Sequence, residues 1–173
     1  MDKRQIFCAG KTKAARYAAQ NLRSLGLPIV DTPADSVGHL LLDVPSFRPG
    51  SMDPDTILAA LPQQAIIWGG NLDHPALEGY RCIDLLKDEE YLIRNAAITA
   101  DCTLRLMESM SSIPLADRRI LIIGWGRIGK SLASKLTALG CNVTVTVRRE
   151  SDRAMAESAG YSNLHIDSIP AEI

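Results

Sequence analysis

The residues best suited to chemistry in this sequence are three glycines at a fixed spacing, Gly124, Gly126 and Gly129, with Trp125, Arg127 and Ile128 between them. A G-x-G-x-x-G run is weak evidence alone, but here a β-branched stretch at residues 119–123 feeds into it. A helical stretch at 130–139 follows, Gly140 stops it, and a second strand candidate covers 142–147. In that setting Gly124 permits a tight turn, Gly126 lets a pyrophosphate approach the backbone, and Gly129 lets helix and strand pack closely. The helix N-terminus adds N–H donors and a partial positive charge. The pattern points to a dinucleotide; the alternative is a glycine turn that serves packing alone. The end of the second strand bears on which dinucleotide. NAD sites usually place Asp or Glu there for the ribose hydroxyls, whereas this strand runs into Arg148 and Arg149, with the first carboxylate at Glu150. Two guanidiniums favour a 2′-phosphate, hence NADP; NAD stays open if both arginines are solvated and Glu150 or Asp152 takes the ribose.

Other candidates are scattered through the first hundred residues. Lys11 and Thr12 follow a strand candidate and open a helix, a place suited to a substrate carboxylate; the alternative is a plain turn. This is not a phosphate-binding loop of the Walker type, whose upstream glycine is absent. Gly69, Gly70 and Asn71 end a short apolar strand and either line a cleft or simply turn the chain. Asn95 and Thr99, four apart, share one helix face that points into a cleft; the alternative is that both are solvated or bond within the helix. His74 precedes a proline and reads as a surface loop residue or an acid–base group. Trp125 is expected to pack under the glycine loop or against the long helix.

These residues need elements to hold them. Strand candidates fall at residues 5–9, 27–30, 39–44, 65–68 and 80–85, with a helix over 13–25 that Gly26 terminates. Asp53 and Pro54 open a second helix reaching to Pro62. Strand and helix in alternation predict an α/β chain with a flavodoxin-like, doubly wound parallel sheet over residues 1–87, whose ligands bind beyond the carboxyl ends of the strands. A long helical pattern without Gly or Pro runs from 88 to 110, giving a connector over 88–112. Residues 113–173 then form a partial Rossmann dinucleotide-binding domain, with a helix at 152–159 and a last strand at 161–166.

The 173 residues carry 19 Lys+Arg against 20 Asp+Glu and are 46% apolar. That is the profile of a globular protein and gives no electrostatic footprint for nucleic acid. Cys8, Cys82, Cys102 and Cys141 show no C-x-x-C pair, and His39, His74 and His165 lie near none of them, so no zinc site is expected. The basic start at residues 1–4 is followed by too short an apolar stretch for a signal peptide, and no segment is long enough to span a membrane. A cytoplasmic protein with reduced thiols is expected.

The sequence over residues 84–95, then Ala96 to Thr103, 120–129 and 136–140, resembles the A subunits of dipicolinate synthase, and the resemblance reaches back to residues 66–70. It spans about residues 65–160; the first sixty agree in pattern only. More distantly, the connector and glycine motif resemble D-2-hydroxyacid dehydrogenases and S-adenosylhomocysteine hydrolases. The resemblance implies two α/β domains around a cleft and a sporulation enzyme. Its reaction would be NADP-linked oxidation of a dihydrodipicolinate-type dicarboxylate to dipicolinic acid, with a flavoprotein-like B subunit as partner. It also implies roles for Asn95, Thr99 and Asp101, the last standing where relatives commonly have Glu. The family's chains continue further, so the resemblance implies a fragment or truncated product. An incomplete parallel sheet would leave an unpaired edge, from which a homo-oligomer is expected. Two other readings remain: a non-catalytic module that binds a nucleotide or partner, and a D-2-hydroxyacid dehydrogenase-like enzyme, whose Arg, Glu and His would lie past this sequence.

Overall fold

The computed structural model describes residues 5–50 and 53–169; the basic start at 1–4, residues 51–52 and the stretch 170–173 lie outside the described residues. The chain divides into two compact units, Met1–Tyr91 and Leu92–Ile173.

In the first unit the elements are β1 (Gln5–Cys8), α1 (Lys13–Ser24), β2 (Ile29–Val30), β3 (Val37–Leu41), α2 (Pro54–Leu58), β4 (Ile66–Gly69) and β5 (Arg81–Asp84). All pairings are parallel and the strand order is β2-β1-β3-β4-β5, the flavodoxin-like order, which has its topological switch between β1 and β3. Parallel strands covered on both faces read as continuous apolar runs, and here Phe7, Val37, Leu40 and Ile67 form the core with Ile57, Leu58 and Leu61. Trp68 is only half-buried, and its indole N–H donates to His39 Nδ1 at 3.2 Å.

Two boundaries differ from the sequence expectation. β3 begins at Val37, because Val37 and Gly38 are buried and Val37 pairs with Gln5, and it ends at Leu41. The second helix stops at Leu58, well short of Pro62. Asp53 caps it by accepting from the Thr56 N–H at 3.0 Å. Tight turns then follow, with the Leu61 N–H donating to Leu58 O at 3.0 Å, and these drop Leu61 into the core.

The unit boundary falls within the first turn of α3 (Glu89–Met110). In the second unit β6 (Arg119–Ile122), α4 (Arg127–Ala138), β7 (Asn142–Val147), α5 (Glu150–Ser158) and β8 (Ser162–His165) form a parallel β6-β7-β8 sheet. This β-α-β-α-β unit is the mononucleotide-binding half of a Rossmann-like fold. Its core is Ala100, Ile122, Leu132, Ala133, Leu136, Val145 and Ala156 with Trp125. The helix after β6 begins at Arg127, three residues earlier than its periodicity suggests, because Gly126 already serves as its cap. Among the described residues no helix is long and apolar enough to cross a membrane.

Candidate functional site: the glycine loop between β6 and α4

β6 delivers the chain to Gly124, whose φ of +111° lies in the region that favours glycine. The Gly124 N–H donates to Thr146 Oγ1 at 2.9 Å, which ties the loop to a threonine of β7 that is fully buried. Gly126 is the cap of α4 and has no side chain with which to satisfy the helix's first N–H groups. A Cβ built on Gly126 meets nothing within 4 Å, so the space above the loop is open. At Gly129 the opposite holds: a Cβ would overlap the carbonyl oxygen of Gly124. The loop is thus closed against itself on one side and open on the other, where α4 begins. That is a cradle for an anionic group, and the residues present fit a dinucleotide pyrophosphate.

Trp125 turns inward. Its ring meets Tyr161 edge-on at 5.1 Å between centroids, and the Lys130 ammonium lies 5.7 Å from its centre. Its buried indole N–H has no hydrogen-bond partner among the described residues. Arg127 and Ile128 are exposed on the first turn of α4. Arg148 and Arg149 stand exposed where β7 runs into α5, and Arg149 is that helix's cap residue. Neither guanidinium has a hydrogen-bonded or acidic partner among the described residues.

A cleft of about 620 Å³ opens beside the loop, lined by Ile122 to Gly124, Gly126 to Gly129 and Leu132, and across from them by Leu92, Asn95, Ala96 and Thr103 of α3. Asn95 therefore borders the same cleft as the glycines. Thr99 does not: its hydroxyl donates to Asn95 O at 2.7 Å, a bond within the helix. Asp101 pairs with Lys135 of α4 at 2.7 Å, which joins the two helices.

In the first unit, Lys11 and Thr12 are occupied by the protein itself. The buried carboxylate of Asp43, 7% exposed, accepts from the Lys11 N–H at 2.9 Å, the Thr12 N–H at 3.3 Å and the Thr12 hydroxyl. Gly69 and Gly70 are buried by close packing: a Cβ would overlap Ser46 Oγ at the first, and meet Leu86 and Val44 side chains at 2.8 Å at the second. Asn71 is exposed, with φ +56°. His74 stacks on Phe47 at 4.5 Å and accepts from the Ala76 N–H.

Asp84 holds the 69–72 turn, accepting from the N–H groups of Asn71 (3.2 Å), Leu72 (3.2 Å) and Leu86 (2.9 Å). Burial works to raise its carboxyl, but these donors, with Lys87, outweigh it and hold Asp84 below the usual carboxylate range. A carboxylate with a depressed native pKa contributes stability above its unfolded value, about 3.9, and loses it as pH falls through the native value. Asp84→Asn should therefore melt below the wild type at pH 7. The gap should narrow as pH drops through 4 towards 3; a gap that stays constant would contradict this role.

The sequence reading missed Thr146 and the two carboxylates Asp43 and Asp84. Alternation in β7 places Thr146 on the same face as Thr144, but nothing local distinguishes a hydroxyl that anchors the glycine loop from one that packs.

Residues 86–172 match the family model of the D-isomer specific 2-hydroxyacid dehydrogenase, NAD binding domain. This is half of the chain; the chain belongs to that family, and with it to the NAD(P)-dependent oxidoreductases. Among solved structures it is similar to the dipicolinate synthase A chain from Bacillus halodurans, with 17% identity, TM-score 0.70, 94% of this chain and 68% of that chain covered. It is also similar to the dipicolinate synthase A chain from Bacillus subtilis, with 18% identity, TM-score 0.67, 97% and 68% covered. D-lactate dehydrogenase from Escherichia coli shares the fold at 16% identity, TM-score 0.54, 92% and 60% covered. No curated protein matches the chain in sequence.

Proposed function

We propose that the chain binds NADP on the glycine loop and acts as a dipicolinate synthase-like oxidoreductase subunit in the cytoplasm of a sporulating cell. It would oxidise a dihydrodipicolinate-type dicarboxylate to dipicolinic acid beside a flavoprotein-like B subunit. The observation that carries the cofactor reading is the pair of exposed arginines, Arg148 and Arg149, at the end of β7, where no carboxylate precedes Glu150. The reaction reading is supported by the fold likeness to two dipicolinate synthase A chains.

When bound, oxidised nicotinamide supplies a hydride acceptor, and the ring proton that leaves with aromatisation goes to solvent or a base. The residues of this chain bind and orient. The open N–H groups at the start of α4 take the pyrophosphate, and Arg148 and Arg149 take the 2′-phosphate. Asn95, on the cleft wall, offers an amide to the bound molecule. Within the first unit, Gly69, Gly70 and Asn71 stand at the carboxyl end of β4, the edge at which such a sheet would take a ligand of its own, beside Lys11 and Thr12, which Asp43 engages.

Calorimetric titration tests the reading. NADP should bind tighter than NAD, and the Arg148→Ala/Arg149→Ala double variant should lose about 10- to 100-fold in NADP affinity while NAD binding changes little. Equal losses for both cofactors would remove the NADP assignment. The match to the hydroxyacid dehydrogenase family favours a second reading, oxidation of a D-2-hydroxyacid. Turnover assays with the two substrate types separate them.

A further inference from the structure

In the first unit β1 and β3 are neighbours in the sheet, but the chain leaves them in opposite directions: from β1 through α1 to β2 at one edge, and from β3 through α2 to β4 on the other side. Where two such connections diverge, a crevice opens beyond the carboxyl ends of the strands. Here it is a cavity of about 250 Å³, lined by Lys11 and Thr12 after β1 and by Asp43, Ser46, Arg48 and Gly50 after β3. Its buried floor is closed by bonds within the protein. The Asp43 carboxylate takes the N–H groups of Lys11 and Thr12 and the Thr12 hydroxyl. Ser46 Oγ donates to Asp43 O at 2.8 Å and accepts from the Gly70 N–H at 3.0 Å. With three donors upon it, Asp43 keeps little acceptor capacity for a cationic group of a ligand.

The exposed rim is cationic. The Lys11 ammonium reaches across to Gly50 O at 3.4 Å, and the Arg48 guanidinium donates to Val44 O at 2.7 Å, so each loop contributes one cation and a backbone carbonyl positions it. An ammonium has three donors and a guanidinium five, so neither carbonyl exhausts the group it holds. Among the described residues Asp43 is the one carboxylate that lines the crevice, which leaves a single positive charge in excess. We propose that this crevice is a ligand site belonging to the first unit, for a small molecule whose carboxylate lies between the Lys11 ammonium and the Arg48 guanidinium. The backbone donors at the start of α1 take no part, since Asp43 already holds them. One excess charge matches a carboxylate better than a doubly charged phosphate, and the guanidinium fork matches its planar pair of oxygens. A volume below the range of about 300–1,000 Å³ that takes drug-sized ligands suits a small acid.

Calorimetric titration of the cofactor-free chain with dipicolinate, and separately with D-lactate, should show binding of at least one, and the acid that binds tells a dicarboxylate site from a hydroxyacid site. Lys11→Met and Arg48→Met should each weaken it about tenfold with unchanged circular dichroism. Arg16→Met, which removes an exposed arginine of α1 outside the crevice, should leave it as it was. Added sodium chloride should weaken the binding, since the rim is open to solvent. NADP titration of the Lys11 and Arg48 variants should match the wild type, because the glycine loop lies in the other unit; the two sites therefore fail or stand separately. Binding of neither acid, binding indifferent to both substitutions, or displacement of the acid by an equal concentration of inorganic phosphate would each overturn the assignment.

Discussion

Gly129→Ala should both destabilise the second unit and remove its affinity for NADP. The new methyl has nowhere to go, since the Gly124 carbonyl oxygen already occupies its place and is held there by the bond from Gly124 N–H to Thr146. Either α4 moves away from β6 or the loop opens. Overpacking of this kind costs about 1–3 kcal/mol. The larger loss is functional: displacing the loop withdraws at least two charge-assisted N–H donors, about 100-fold in affinity. Gly126→Ala is the informative contrast. Its Cβ enters open space, so the melting temperature should hold while the methyl intrudes where the pyrophosphate is expected. Calorimetry and thermal melts on both variants check this. Gly129→Ala binding NADP as the wild type does would mean that the loop is a packing turn.

Asp43→Ala should be the most damaging change in the first unit, by about 3 kcal/mol. The carboxylate closes the N-terminal end of α1, taking two backbone N–H groups and the Thr12 hydroxyl in a place that is 7% exposed. Alanine leaves all three donors without an acceptor and adds a void. Asp43→Asn keeps the shape and one acceptor oxygen, so it should lose less than half as much. Urea unfolding followed by circular dichroism measures both. An alanine variant as stable as the asparagine one would show that the carboxylate only fills space. The same contact bears on substrate binding, because a carboxylate ligand directed at Lys11 and Thr12 would meet donors that Asp43 already engages.

What could be read from the sequence was local. The glycine spacing, the β-branched strands on either side of it and the caps at Asp53 and Gly26 each rest on neighbours within a few residues, and they define the β-α-β units and hence the two parallel sheets. What could not be read depends on chain segments far apart. Asp43 meets Lys11 at a separation of 32 residues, Asp84 meets Leu72 at 12, and Thr146 meets Gly124 at 22. An Asp after an apolar strand looks the same whether it faces water or another loop's backbone. The shortness of α2 was hidden for a related reason. Ile57, Leu58 and Leu61 fit a helical period, yet the bond from Leu61 N–H to Leu58 O belongs to a tighter turn that serves the core equally well.

The chain's two tryptophans stand in different units and in different surroundings. Trp68 is half open to water and hydrogen-bonded to His39, whereas Trp125 is shut inside the glycine loop against Tyr161. Their emission should differ in colour accordingly, the first to the red and the second to the blue. The protein thus carries one optical label per unit, and one of them sits in the loop that would grip the cofactor. Unfolding of either unit, and arrival of a dinucleotide, can be watched in the untagged chain by choice of wavelength alone.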